Sequence, residues 1–384
     1  MMATTLSDVR AMLERLVAFD TVSRNSNLDL IDFVRDRLAR QGVAADLIAN
    51  GDGTKANLLA TVGPRVEGGV VLSGHTDVVP VDGQAWTTDP FRLEERGGRL
   101  YGRGSCDMKG FVAIALALVP EMKALRRPIH LALSYDEEVG CRGAPSLVEA
   151  VGRLPRPAAV IVGEPTGMRV ITAHKGITVA RTHVRGHQMH SSQAHRGVSA
   201  VATAARLITY LDDVADARAV SGPFGPGFEP SHTTVHVGVV HGGTAVNIVA
   251  RDCRFDWDIR SVPGDDPARI LNDFAEHCRT QVEPAMREIA ADTGITTEIL
   301  MEAPALAHEG RNPAIDLACR LSGREDTGRV PFAAEAGLFQ RAGFASVVCG
   351  PGSIDQAHQP DEFITLEQLE AGLRFQQRLV SALS

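Results

Sequence analysis

Aromatic residues supply only 5% of the 384-residue chain, so its cores have to be built from Val, Leu, Ile and Ala rather than around large rings. A cationic face is missing as well. Asp and Glu outnumber Lys and Arg by 47 to 39, which leaves a formal charge of −8. The short basic pieces, such as Arg126 and Arg127, fall beside expected element ends, where solvated surface accounts for them. Nucleic-acid binding needs clustered Lys and Arg and is excluded as a function class. Long apolar runs are absent too, and none approaches the roughly 20 residues that span a bilayer. The opening MMATTLSDVRAMLERLV carries no basic leader followed by an apolar block and a cleavage site. It reads as an amphipathic helix with Leu6, Val9, Leu13, Leu16 and Val17 on one stripe. The six cysteines, at 106, 141, 253, 278, 319 and 349, include no close pair, which suits reduced thiols rather than a disulfide framework. The expected address is cytoplasmic, with neither membrane nor nucleic acid as partner.

What is present is a chain too long for one ordinary core, with 44% hydrophobic residues and a mean hydropathy of −0.03. Its first half alternates strand and helix patterns. NLLATV (57–62), VVLSG (70–74), IHLALSY (129–135) and VIVGEP (160–165) are short apolar runs that end in polar residues, and FVAIALALVPEM (111–122) has helix length. Strand, helix, strand in that order predicts parallel strands with crossover helices, whose ligand crevice lies past the carboxyl ends. Between 178 and 303 the pattern becomes βαββαβ, the order of a ferredoxin-like module with two helices on one sheet face. Its other face is expected to carry alternating apolar residues and to be left open, and a partner chain would cover it. The strand–helix style then returns. The fold class expected is therefore α/β: a mixed-sheet catalytic domain (1–177 and 304–384) interrupted by an inserted α+β module (178–303).

Candidate chemistry collects at the strand ends. In SGHTDVVP (73–80), His75 and Asp77 point to one side of an extended chain, so Asp77 is placed to accept the second N–H of a metal-binding imidazole. YGRGSCDMKG (101–110) puts Asp107 at the lip of a helix, where an ordinary N-cap is the alternative reading. SYDEEVG (134–140) sets three carboxylates in a row after a buried strand, a repulsive arrangement unless cations neutralise it. Of Glu137 and Glu138, one can bind metal while the other faces substrate. GEPT (163–166) adds Glu164, and GPGSIDQAHQPDE (350–362) carries His358 between turn residues. Two histidines and at least three carboxylates match the ligands of a Zn or Co pair.

GHTDVVP, GRGSCDMKG, DEEVG, GEPT and AHQPDE, in this order and spacing, resemble the metallopeptidase family that includes carboxypeptidase G, succinyl-diaminopimelate desuccinylase and acetylornithine deacetylase. The likeness spans essentially the whole chain. It is strongest to the acetylornithine deacetylase branch, through Cys106 in GRGSCDMKGF, SYDEEVGC, and AVNIVARDCRFDWDIR (245–260).

The resemblance implies a zinc-peptidase-like catalytic domain with a lid or dimerisation module, holding two Zn2+ or Co2+ ions. Asp107 would bridge them, with His75 and Glu164 on one ion and Glu138 and His358 on the other. It also implies that Glu137 is the general base, that Asp77 orients His75, and that His190 steadies the oxyanion in the partner subunit's site. Asn247, Arg260 and Gly352 would contact substrate, Arg260 pairing with its carboxylate. The implied reaction is hydrolysis of an N-acyl-L-amino acid, N2-acetyl-L-ornithine first, within arginine biosynthesis, by a homodimer joined through 178–303. Another N-acylamino acid, N-succinyl-diaminopimelate among them, is the alternative, and a silent amino-acid-binding relative is the alternative outside the class. The chain departs from the branch at Gln188, Met189, Gln193–Arg196, Ser199 and Ala333–Ala336, none of them an implied ligand. Cys106 also admits a thiol-nucleophile reading, against which stands that of a small buried residue.

Overall fold

The computed structural model describes residues 3–384, so Met1 and Met2 of the opening segment lie outside the described residues. The expected first helix covers Leu6–Val17. It begins with a capping box in which the Thr5 hydroxyl accepts the Asp8 N–H and the Asp8 carboxylate accepts the Thr5 N–H. Two compact units organise the chain. One runs through Ala173 and is completed by Leu306–Arg329 and Ala334–Ser384; the other is His174–Ala305 with Val330–Ala333.

The first unit is built on an eight-stranded mixed sheet. Its order is Ala45–Ala49, Ala56–Val62, Ile129–Ser134, Val70–His75, Ala159–Pro165, Ser346–Gly350, Val170–His174 and Thr327–Val330. The four strands from Ile129–Ser134 to Ser346–Gly350 are mutually parallel and buried along their whole length, as their unbroken apolar runs require. Ala56–Val62 departs from the expected parallel pattern and pairs antiparallel with Ile129–Ser134. Residues 63–69 are too few to carry a crossover helix, so the chain has no route to a parallel neighbour there. Helix Lys109–Leu118 is buried at every position. The sheet covers one side of it and helices Leu6–Val17 and Leu366–Leu383 the other, which is why its sequence has no polar stripe.

The second unit is a four-stranded antiparallel sheet ordered Thr234–Gly242, Asp252–Ser261, Gly176–Arg185, Gly294–Ala303. Helices Ala200–Ser221 and Pro267–His277 supply the apolar side chains of its core. Trp257 centres that core, its indole N–H donating to Thr182 Oγ1 at 3.0 Å and its ring 5.1 Å from Phe274. Along Asp252–Ser261 the buried residues are Cys253, Phe255, Trp257, Ile259 and Ser261. The opposite row is Arg254, Asp256, Asp258 and Arg260, and the Arg181 guanidinium forks onto both Asp256 oxygens at 2.8 Å. The outer face expected to be apolar is thus charged along this strand, while its neighbours add Val239, Val179 and Met301 to the same face, which makes that face mixed. All six cysteines are free thiols, five of them buried. Among the described residues no helix is long and apolar enough to cross a membrane.

One buried imidazole gives the fold a pH dependence. His130, fully buried on Ile129–Ser134, shares a 2.9 Å hydrogen bond with the Thr61 hydroxyl. Burial, aided by the Arg65 charge, pushes its pKa from 6.5 down to about 4. The unfolded chain therefore binds a proton near pH 6.5 that the folded chain refuses until about pH 4, so stability falls as pH drops across that window. His130→Gln is expected to show a shallower loss of Tm between pH 6.5 and 4.5 than the wild type, measured by thermal melts. Parallel curves would refute the assignment.

Candidate metal centre

Three adjacent parallel strands each deliver a metal-capable side chain at the carboxyl end. His75 ends Val70–His75, Asp136–Glu138 follow Ile129–Ser134, and Glu164 is the last residue but one of Ala159–Pro165. His358 comes from the loop after Ser346–Gly350. Asp107 enters from a glycine-rich turn. Met108, not Asp107, occupies the N-cap of Lys109–Leu118, and no side chain caps that helix, so capping does not explain the Asp.

These side chains meet around Asp107. Its Oδ1 lies 3.0 Å from His75 Nε2, and its Oδ2 lies 3.5 Å from His358 Nε2. Glu164 Oε1 is 3.9 Å from His75 Nε2, and Glu138 Oε2 is 3.0 Å from His358 Nε2. Donor atoms of His75, Asp107 and Glu164 fall within 4.8 Å of one another, and so do those of Asp107, Glu138 and His358. One carboxylate is therefore common to two donor clusters and turns a different oxygen to each. Glu138 Oε1 and Glu164 Oε1 are buried without a hydrogen-bond partner. Orphaned carboxylate oxygens beside imidazoles, with one shared carboxylate between them, are a donor set that fits a pair of divalent cations.

The electrostatics agree. Burial and repulsion from Asp107 raise the pKa of Glu138 and, more strongly, that of Glu164. Hydrogen bonds to Asp107 and Glu138 push His358 up to about 10. His75 is raised well above its ordinary value despite full burial, through its bond to Asp107 and the charge of Glu164. Burial opposes ionisation of Asp107, yet bonds from both imidazoles hold its pKa below the usual range. A cluster in which two glutamates resist ionisation and both imidazoles retain protons is short of positive charge.

Asp77 meets His75 through its backbone carbonyl rather than through the carboxylate that the sequence suggests. His75 Nδ1 makes its 2.9 Å hydrogen bond to the Asp77 backbone carbonyl, while the Asp77 carboxylate stands 3.8 Å away. That carboxylate accepts the N–H groups of Glu137 at 3.0 Å and Glu138 at 3.2 Å, and the Ser23 hydroxyl at 2.7 Å. It thereby fixes the start of the acidic turn. Asp136, which opens that turn, has φ +54° and is held by an ion pair with Lys55. Side chains at positive φ cost about 1–3 kcal/mol and persist only where neighbours enforce them.

Gly352 has φ +92°, and a Cβ there would lie 2.5 Å from Cys106 Sγ, so the chain can pass only as glycine. The other expected substrate residues belong to the second unit. His190 bridges to Ile248, and Ser191 N–H donates to the Asn247 carbonyl at 2.9 Å, which brings His190 and Asn247 side by side. Arg260 lies on Asp252–Ser261, 3.6 Å from Asp258. Ser199, one of the departures, caps helix Ala200–Ser221 through its hydroxyl. The sequence reading assigned no task to Arg103, Glu362 or Glu335, all 1% exposed. The signal was available: a charged residue inside the otherwise small and buried GRGSCDM segment needs a buried counter-charge.

Comparison with known proteins follows the same outline. Residues 71–382 match the family described as peptidase family M20/M25/M40. An acetylornithine deacetylase from Myxococcus xanthus is 37% identical over 96% of this chain and 95% of its own. One from Pasteurella multocida (strain Pm70) is 32% identical over 94% of each chain. Among solved structures, the M20 family metallo-carboxypeptidase Sso-CP2 from Sulfolobus solfataricus superposes with a TM-score of 0.77 at 17% identity, covering 97% of this chain and 98% of that one. The dipeptidase Dug1p from Saccharomyces cerevisiae gives 0.74 at 16% identity, covering 99% and 98%. At those identities the structures speak for the fold alone.

Removing one acid should relieve the charge shortage. In chelator-treated protein, Glu164→Gln is expected to raise Tm by about 2 °C or more and to shrink the stabilisation that added Zn2+ gives the wild type. A lower Tm without metal, together with undiminished stabilisation by Zn2+, would contradict the repulsion argument.

Proposed function

The chain belongs to peptidase family M20/M25/M40, and we propose that it is a dinuclear metal-dependent amidohydrolase that converts N2-acetyl-L-ornithine to L-ornithine and acetate. The observation that carries the chemistry is the Asp107 carboxylate, shared between two imidazole–carboxylate clusters. The substrate rests on identities of 32–37% to acetylornithine deacetylases over nearly the whole chain. In this reading His75, Asp107 and Glu164 hold one ion, and Asp107, Glu138 and His358 hold the other. Zn2+ or Co2+ suits their nitrogen and oxygen donors. When bound, the pair supplies positive charge that acidifies water and polarises the scissile carbonyl.

The remaining work belongs to side chains of this protein. Glu137, beside the ligand Glu138 and anchored at its N–H by Asp77, takes a proton from the attacking water. It then returns that proton to the departing amine, which cannot leave as an amide anion. Burial, with repulsion from Glu138, raises its pKa well above the carboxylate norm. A base so raised is better matched to neutral pH. We assign His190 to the oxyanion, and Asn247, Arg260 and Gly352 to substrate, Arg260 through the amino-acid carboxylate. We further assign the second unit to dimerisation and the enzyme to arginine biosynthesis in the cytoplasm. Cys106 fits a nucleophile poorly, because burial and the Glu362 charge push its thiol pKa well above normal.

Glu137→Gln is expected to lower kcat on N2-acetyl-L-ornithine by about 100- to 10,000-fold with Zn2+ uptake unchanged. Chelation should abolish wild-type turnover, whereas Cys106→Ser should keep most of it. A panel of acylated amino acids tests the substrate: fast release of succinate from N-succinyl-diaminopimelate, with no action on the acetyl compound, would overturn the assignment. Turnover undiminished in Glu137→Gln would overturn the mechanism.

A further inference from the structure

Arg103 is a fully buried cation with no part in the reaction described above. Its Nη1 donates to Glu362 Oε2 at 2.7 Å and to the Gln359 carbonyl at 3.3 Å. Its Nη2 donates to Gln84 Oε1, and the guanidinium lies 5.0 Å from the centre of the Trp86 ring. Each partner leads to the metal centre. Glu362 Oε1 accepts the N–H groups of Cys106 at 2.9 Å and Asp107 at 3.1 Å. Gln84 Nε2 donates to the His358 carbonyl at 2.9 Å. One planar fork therefore ties the turn that carries Asp107 to the loop that carries His358.

The two donor clusters differ in how much they need such a tie. His75 and Glu164 stand on central sheet strands. His358 lies on an irregular loop, its side chain 50% exposed and its backbone at φ +64°. Nothing in regular secondary structure sets its distance from Asp107. We propose that Arg103, acting through Glu362 and Gln84, is a positioning residue that sets the spacing of Asp107 and His358 and so tunes the Asp107–Glu138–His358 site separately from its neighbour. The inference rests on the two-ion reading above. Gln84 is the arm that serves His358 alone, since Glu362 holds the backbone of Asp107, the residue common to both sites. Lysine cannot replace Arg103 here, because a single ammonium lacks the fork that reaches both arms.

The test is a Zn2+ titration of chelator-treated protein by calorimetry, with thermal melts of the metal-free chain. Gln84→Glu still offers an acceptor to Arg103 and to the Trp86 N–H, which donates to Gln84 at 3.0 Å, but it cannot donate to the His358 carbonyl. Gln84→Ala loses both roles. In both variants one of two binding steps should weaken about 10- to 100-fold while the other step holds, and in Gln84→Glu, which keeps the acceptor for Arg103, the metal-free Tm should hold as well. Arg103→Lys, which disturbs the Glu362 arm as well, should weaken that same step at least as much, and if it fails to fold the two Gln84 variants decide. Wild-type affinities in Gln84→Glu, or equal weakening of both steps, would overturn the proposal while leaving the two-ion reading standing. A wild-type chain that takes up fewer than two ions would overturn both.

Discussion

Like charges gathered out of water repel, and that repulsion governs the first unit. Asp107, Glu137, Glu138 and Glu164 converge at one edge of a sheet whose strands are otherwise apolar. No fold would gather them there without a counter-charge, because the repulsion is paid in stability. Two imidazoles answer part of it, and the remainder is what the proposed pair of cations would answer. The surroundings follow from the same need. The Asp77 carboxylate takes two backbone N–H groups, Lys55 pairs with Asp136, and Arg103 is buried against Glu362.

Rigidity comes from the scaffold behind the acids. Four parallel strands buried on both faces and a helix without a solvent side leave the strand-borne donors little freedom. Freedom is left to Asp107 and His358, which ride on turns, and the hydrogen-bonded restraints concentrate around those two. The second unit follows a different logic. Its helices cover one sheet face, and its outer face sets ion pairs such as Arg181–Asp256 among a few apolar side chains.

Period and punctuation made much of this legible in the sequence. Apolar runs that end in His75, Glu164 or the DEE triplet mark strand ends, and strand ends of a parallel sheet mark the crevice. The βαββαβ order was readable because its alternation differs from the unbroken runs before it. Other features were hidden for stated reasons. The antiparallel course of Ala56–Val62 depends on a pairing partner more than sixty residues away, which local pattern does not encode. The Asp77 carboxylate was expected at His75 because spacing shows only which side a residue faces. A backbone carbonyl, which no sequence displays, took the imidazole N–H instead. Arg103 and Glu362 went unassigned because their pairing joins positions 259 residues apart.

That separation has a consequence in time. Asp107 and its neighbours leave the ribosome long before His358 and Glu362 are made, by about 10–50 s at ordinary rates of synthesis. For that interval the nascent chain holds its acids with neither the second imidazole nor the carboxylate that secures the Asp107 turn. The centre is thus completed last, when the final segment adds Ser346–Gly350 to the sheet and lays down the Leu366–Leu383 helix. A product that stalls before His358 would lack one of the three donors of that cluster, so the full set of donors exists only once nearly the whole chain has been made.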